Sequence, residues 1–173
     1  MSILKIARMG HPVLRTRARR VDPAEITTPA FQTLIDDMMQ TMSEYHGIGL
    51  AAPQVHETVR LVIVGVEQGE DKPLHVFPVV NPEITPVGSA TEEDWEGCLS
   101  LPDLRGRVPR HARVRLRGLD RAGDKIDVSL RDFPARVAQH EVDHLDGILF
   151  VDRMESLQSL SFLEEYTRHS QKE

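Results

Sequence analysis

Cysteine is almost missing from this chain: Cys98 is the only one in 173 residues. A lone thiol excludes an internal disulfide, and the lack of a disulfide framework fits a reducing compartment. Aromatic residues are also scarce, at 5%. None lies between Trp95 and Phe133, so the densest basic run, Arg105 to Arg121, has no rings on which nucleic-acid bases could stack. Within that run Arg113, Arg115 and Arg117 alternate with Val114 and Leu116, the pattern of a strand with one solvated face. A net charge of −6 gives no general attraction to polyanions. No stable nucleic-acid binding is expected. The longest clean apolar run, LVIVGV at 61 to 66, is far short of the roughly 20 residues a membrane helix requires, and no membrane association is expected. Acidic residues are absent from the first 21 positions, which carry Lys5, Arg8, Arg15, Arg17, Arg19 and Arg20. That composition resembles an organellar transit peptide. Gly10, His11 and Pro12 break any amphipathic helix there, serine is scarce, and no apolar signal region or small-residue cleavage site appears. The segment is therefore expected to belong to the folded domain of a cytoplasmic protein.

What is present describes an ordinary folded domain. A length of 173 residues, 40% hydrophobic and 28% charged, suits one core, and residues 1–173 are expected to form a single catalytic domain of the α+β class. The clearest helix spans Pro29 to Tyr45, capped by Thr28, with Phe31, Leu34, Ile35, Met38, Met39, Met42 and Tyr45 at helical spacing. Segments 58–66, 74–82, 112–119 and 125–130 read as strands rich in branched residues. Between them, HGIGLAAPQ at 46–54 reads as a glycine-containing loop, and Glu92, Glu93 and Asp94 as part of a loop leading to Cys98. A second helix starts near Asp132 and Pro134 and stops around Gly147. A last one is expected over 156 to about 168, with a frayed tail to 173.

The glycine loop imitates a dinucleotide-binding fingerprint, because Gly47-Ile-Gly49-Leu-Ala-Ala52 matches G-x-G-x-x-[GA] and Glu67 lies 20 residues after Gly47. That fingerprint needs a strand before it and a helix after it. Here a helix precedes and a strand follows, which excludes it.

The second helix, FPARVAQHEVDHL at 133–145, carries the chemistry. At about 100° per residue, Phe133, Val137, His140 and His144 share a face. Ala135, Ala138, Val142 and Leu145 lie opposite, and Arg136, Gln139 and Asp143 form a narrow polar stripe. A helix apolar over most of its circumference is buried, and buried imidazoles need partners. His140 and His144 stand at i and i+4 with Glu141 between them, the H-E-x-x-H arrangement. Its two ring nitrogens reach one metal while the glutamate handles protons at a water. A catalytic metal usually has a third protein ligand. The metzincin position is occupied by Phe150 and fails. Glu164, 20 residues past His144, would complete a zinc endopeptidase, and Cys98 is the other candidate. Asp143 is expected to pair with a cation rather than orient a ligand.

Three blocks resemble the peptide deformylase family: GIGLAAPQ at 47–54, EGCLS at 96–100 and QHEVDH at 139–144. They occur in the family's order, and the similarity extends from ILKIARMGHPVLR to LDGILFVDRM. The resemblance implies antiparallel β-sheets packed around the buried helix that carries the HExxH motif. It implies Cys98, His140 and His144 as ligands of one divalent metal, Fe2+ natively, with Zn2+, Ni2+ or Co2+ compatible with the same donors. Glu141 becomes the general base and acid; the Gln54 side-chain amide and the Leu99 N–H become oxyanion donors. The substrate implied is the N-terminal formylmethionine of a newly made polypeptide, and formate is the product. The peptide would pair as an added strand with backbone groups of Ile48, Gly49 and Gly97. Its methionine would meet Ile48, Phe133, Val137 and the His140 ring, and Arg105 is a further candidate for contact. A monomer with a transient ribosome contact is expected.

Overall fold

A computed structural model of the chain describes residues 2–66 and 75–170. Leu74, where the second strand was expected to begin, and Glu67 of the dinucleotide-like pattern lie outside the described residues, as do 171–173. The N-terminal segment is part of the fold: it runs extended, makes a 3-10 turn over Pro12–Arg15, and buries Ala7, Leu14, Ala18 and Val21.

A short helix α1 (Pro23–Ile26) carries an Asp22–Glu25 capping box. Helix α2 spans Pro29–Glu44, where the Thr28 hydroxyl accepts from the Phe31 N–H and Pro29 sits in the first turn. Next come β1 (Gly49–Ala51), β2 (Leu61–Val66), β3 (His75–Pro86), β4 (Thr91–Cys98), β5 (Leu101–His111), β6 (Arg113–Leu119) and β7 (Lys125–Arg131). Helix α3 (Asp132–Leu145), a single-turn α4 (Phe150–Arg153), a two-residue β8 (Ser161–Phe162) and α5 (Leu163–His169) complete the chain. One antiparallel sheet has the order β1-β2-β3-β6-β7 and a smaller one β4-β5-β8. No helix among the described residues is long and apolar enough to cross a membrane.

The apolar run 61–66 is explained by its place between two helices. Leu61 and Ile63 pack with Ile35, Met38 and Met42 of α2. Val62 and Val64 face the other way, onto Ala135, Val137, Ala138 and Leu145 of α3. A strand covered on both faces loses the usual polar alternation. Each such side chain, fully buried, contributes about 1.5–3 kcal/mol. A third cluster, Ala7, Leu14, Leu101, Val108, Leu149 and Phe150, ties the N-terminus and α4 to the smaller sheet.

Two expectations need correction. The acidic segment before Cys98 is the strand β4, not a loop. Glu and Asp are poor strand formers, but β4 pairs along β5 with basic residues nearby in register, Glu92 opposite Arg110 and Trp95 opposite Arg107. Glu93 and Arg107 form an ion pair at 3.1 Å. The expected long C-terminal helix from 156 is also wrong. Ser156 caps a 3-10 turn over Leu157–Ser159, Ser161 and Phe162 add a strand to β5, and only Leu163–His169 is helical.

Candidate active site

Helix α3 and the end of β4 meet at one point. The Cys98 Sγ and ring nitrogens of His140 and His144 all lie within 4.8 Å of one another. Sγ stands 3.3 Å from Nε2 of His144, and the two rings are edge-on at 5.0 Å between centroids. One turn of helix separates the histidines, so both project from the same face toward the strand end. Sγ also receives the Ser100 N–H at 3.4 Å and the Gln54 Nε2 at 3.5 Å. The Gln54 side chain is held at both ends: its Oε1 accepts from Ala51 N at 2.8 Å, and Nε2 also donates to Ser100 Oγ at 3.2 Å. Leu99 begins the two-residue turn between β4 and β5.

Behind the histidines lies a buried charge network. The Nδ1–H of His140 donates to Glu96 Oε2 at 2.8 Å, which leaves Nε2 as the nitrogen able to bind a cation. Glu96 Oε1 accepts from Arg110 Nε at 2.9 Å and from Arg136 at 2.8 Å. Arg110 also pairs with Asp143, which Arg153 holds from the other side at 2.7 Å. Asp143 thus does pair with cations, as its place on the polar stripe suggested. The stripe itself is covered: Glu96, Arg110, Arg136 and Asp143 are all buried. The basic run from Arg105 is therefore not uniformly solvated, because Arg110 turns inward and bridges the two buried carboxylates, Glu96 and Asp143.

The network sets the charge states around it. Burial opposes ionisation of Glu96, but hydrogen bonds from His140 and Arg110 outweigh it and hold the carboxyl well below the usual range. Burial likewise favours the neutral Cys98 thiol, yet the adjacent His144 and His140 rings lower its pKa well below the ordinary value, and the thiolate is the metal-binding form. Glu141 shows the opposite balance. Burial, only partly offset by His140 and His144, raises its pKa to about 7, a value suited to proton exchange near neutrality. Its Oε2 is buried without a hydrogen-bond partner among the described residues. Its carboxyl packs on Gly49, where a Cβ would lie 2.3 Å from Oε1. One thiolate, two imidazole nitrogens and an adjacent unsatisfied carboxyl fit a single divalent cation of borderline softness.

Gln54, Glu96, Cys98, His140 and Glu141 open on one cavity of about 800 Å³. Of the residues expected from sequence, Ile48, Gly49, Gln54, Gly97, Cys98, Leu99, Arg105, Phe133, Val137, His140 and Glu141 line it. His144 sits behind them, 1% exposed, in contact with Cys98. Glu164 is not brought to the site: it lies on the exposed face of α5, ion-paired with Arg168, and the three-donor cluster forms without it. Sequence reasoning missed Glu96, Ser100, Arg110 and Arg136. The first two lie inside the EGCLS block beside the cysteine, which was a local signal; the arginines become legible only once β5 and α3 are packed together. Leu163 also lines the cavity, and the Tyr166 ring packs tilted against Trp95 at 4.7 Å between centroids, so the C-terminal segment supplies part of the wall.

A histidine pair and a glutamate on a buried helix, facing a strand-borne thiol in one cavity, define a metal-dependent hydrolase. The family described as polypeptide deformylase matches residues 3–160, and the chain belongs to that family. It is 45% identical to peptide deformylase 1 of Nitrosomonas europaea over 92% of each chain, and 42% identical to peptide deformylase 2 of a Nostoc species over 95% of this chain and 93% of that one. Among solved structures, the Met-Ala-Ser-bound class I type b peptide deformylase of Acinetobacter baumannii superposes with a TM-score of 0.83 at 40% identity, covering 89% of this chain and 100% of the other. The peptide deformylase of Thermotoga maritima gives 0.81 at 35% identity, covering 90% and 100%. The endopeptidase alternative finds no support in these relatives or in the position of Glu164.

Proposed function

We propose that this chain, working as a single catalytic unit, removes the formyl group from the N-terminal formylmethionine of newly made polypeptides. The observation that carries the reading is the convergence of Cys98, His140 and His144 within 4.8 Å, beside a buried and unpartnered Glu141 oxygen. Cys98 Sγ and the Nε2 atoms of His140 and His144 would hold one divalent cation, Fe2+ by family resemblance, with Zn2+, Ni2+ or Co2+ acceptable to the same donors. When bound, it supplies Lewis acidity to the formyl oxygen and acidifies a water in the site.

The residues of the chain do the rest. Glu141 takes the proton from the attacking water, as a carboxyl with a pKa near 7 can, and returns it to the leaving nitrogen as the C–N bond breaks. The oxygen that becomes negative receives the Gln54 amide and the Leu99 N–H; Ala51 and Ser100 hold Gln54 in place, and its second N–H, now on Cys98 Sγ at 3.5 Å, turns to that oxygen. Ile48, Phe133, Val137 and the His140 ring form the methionine pocket, and their exposed edges, Ile48 at 37% and Phe133 at 42%, are apolar surface that a thioether side chain would cover. Backbone groups of Ile48, Gly49 and Gly97 align the peptide, with Arg105 at its side. The products are formate and a free methionyl amine. Such an enzyme works as a monomer in the cytoplasm, in transient contact with ribosomes. Formate release from formyl-Met-Ala-Ser by the metal-loaded chain tests the reading; cleavage of internal bonds without formate would refute it.

A further inference from the structure

The cavity has one wall that the chemistry above does not use. The Ala7 N–H donates to Gln54 O at 2.7 Å and the Met9 N–H to Ser100 O at 2.8 Å. These bonds pin the N-terminal segment against both loops that flank Cys98, and they place Lys5, Ile6 and Arg8 on the cavity lining together with Arg105. The six basic residues of the acid-free N-terminus then divide cleanly. Arg15, Arg17, Arg19 and Arg20 each pair with a carboxylate of the chain. Lys5 and Arg8, the two that line the cavity, have no ion pair or side-chain hydrogen bond among the described residues. Arg105 lies over Gly97, where a Cβ would come 2.1 Å from its Nη1, and among the described residues it donates only to the Leu104 carbonyl, at 2.8 Å.

The acids on the same lining do not cancel this charge. Glu96 is committed to Arg110, Arg136 and His140, Glu141 belongs to the reaction centre, and Asp103 alone remains. A chain of net charge −6 therefore keeps unpaired cations in its cleft. We infer that Lys5, Arg8 and Arg105 form a cationic wall that favours formyl peptides bearing a carboxylate in the first residues after the formylmethionine. The inference rests on the deformylase reading and adds a selectivity to it. The wall recognises a carboxylate, whether from an Asp or Glu side chain or from the free end of a very short peptide.

The test uses metal-loaded enzyme and C-terminally amidated peptides, which leave only side-chain carboxylates: formyl-Met-Ala-Ser amide, formyl-Met-Glu-Glu amide and formyl-Met-Lys-Lys amide. A free-acid formyl-Met-Ala-Ser arm reports the terminal carboxylate. The diglutamyl peptide is expected to exceed the dilysyl one in kcat/KM on the order of three- to tenfold, the scale of one or two partly exposed charge pairs. That ratio should fall as salt is raised to about 0.5 M, where screening is strong. In Lys5→Glu/Arg8→Glu it should fall below one. Each ratio is taken within one protein, so a change in overall activity does not move it. A preference shown only by the free-acid arm, and lost in the double variant, would support the wall with the chain terminus as its ligand. A ratio within twofold of one in the native chain with no preference for the free acid over its amide, or a preference that the double variant leaves unchanged, would overturn the inference. Those outcomes all presuppose formate from the neutral amide; no formate from any peptide would overturn the deformylase reading itself.

Discussion

The Nδ1–H of His140 donates to the Glu96 Oε2 at 2.8 Å, and that one contact joins helix α3 to a buried network of Arg110, Arg136, Glu96 and Asp143. A charge-assisted bond of this kind fixes both the tautomer and the direction of the ring. Replacing Glu96 with Gln keeps the shape, removes the charge, and leaves Arg110 and Arg136 with too little compensation. Glu96→Gln should weaken metal binding by about 10–100-fold and lower stability by about 3–5 kcal/mol, the scale of breaking a buried ion pair. Competition with a metallochromic chelator and a thermal melt measure the two effects.

The approach of Gly49 to Glu141 sets a second prediction. A Cβ at Gly49 would meet Oε1 at 2.3 Å and Cγ and Cδ at 2.7 Å, so the whole end of the side chain must move. The metal donors are not touched. Gly49→Ala should therefore bind metal normally and lose kcat, by roughly 100-fold if the displaced carboxyl leaves hydrogen-bonding reach. Metal analysis beside steady-state kinetics checks it, and a fall in metal content in step with activity would contradict it.

Much of this arrangement was readable before any coordinates. The helix α3 was legible because its apolar residues recur at helical spacing and its histidines stand one turn apart. Strands β6 and β7 were legible because one face of each is wet and alternation survives. Strand β4 was not, because Glu92, Glu93 and Asp94 have low strand propensity and their compensation comes from arginines on another strand. Glu96 carried no role of its own in the sequence and Arg136 only a place on the polar stripe, for a related reason: a charge buried by its partner carries no local mark of burial. The short C-terminal elements were misread as one helix because the pairing of Ser161 and Phe162 with β5 is a tertiary event.

Cys98 and Glu164 were rival third ligands, and their variants separate. Cys98→Ala should lose tight metal binding and turnover together. Glu164→Ala, at an exposed ion pair with Arg168, should change stability by less than about 1 kcal/mol and leave metal content intact. Metal-to-protein ratios after dialysis read both.

Gly147, just past the end of α3, has φ +75°, and a Cβ there would lie 2.9 Å from the Arg15 backbone carbonyl. A side chain would be strained twice, by conformation and by contact. Gly147→Ala should destabilise the fold by about 1–3 kcal/mol, read as a lower denaturant midpoint. Since the three metal donors lie elsewhere on α3 and β4, metal binding by the folded fraction should persist.

The central claim is that one buried carboxyl, not a metal ligand, moves the proton for formyl hydrolysis. Metal content and formate release from formyl-Met-Ala-Ser, measured on the same iron(II)-loaded samples of native chain and Glu141→Ala, test it most directly. The account predicts about one metal per chain in both, the three-donor set being unchanged, with formate matching freed amine in the native chain and at least about 100-fold less in the variant. Undiminished formate from Glu141→Ala, or none from the fully loaded native chain, would contradict it.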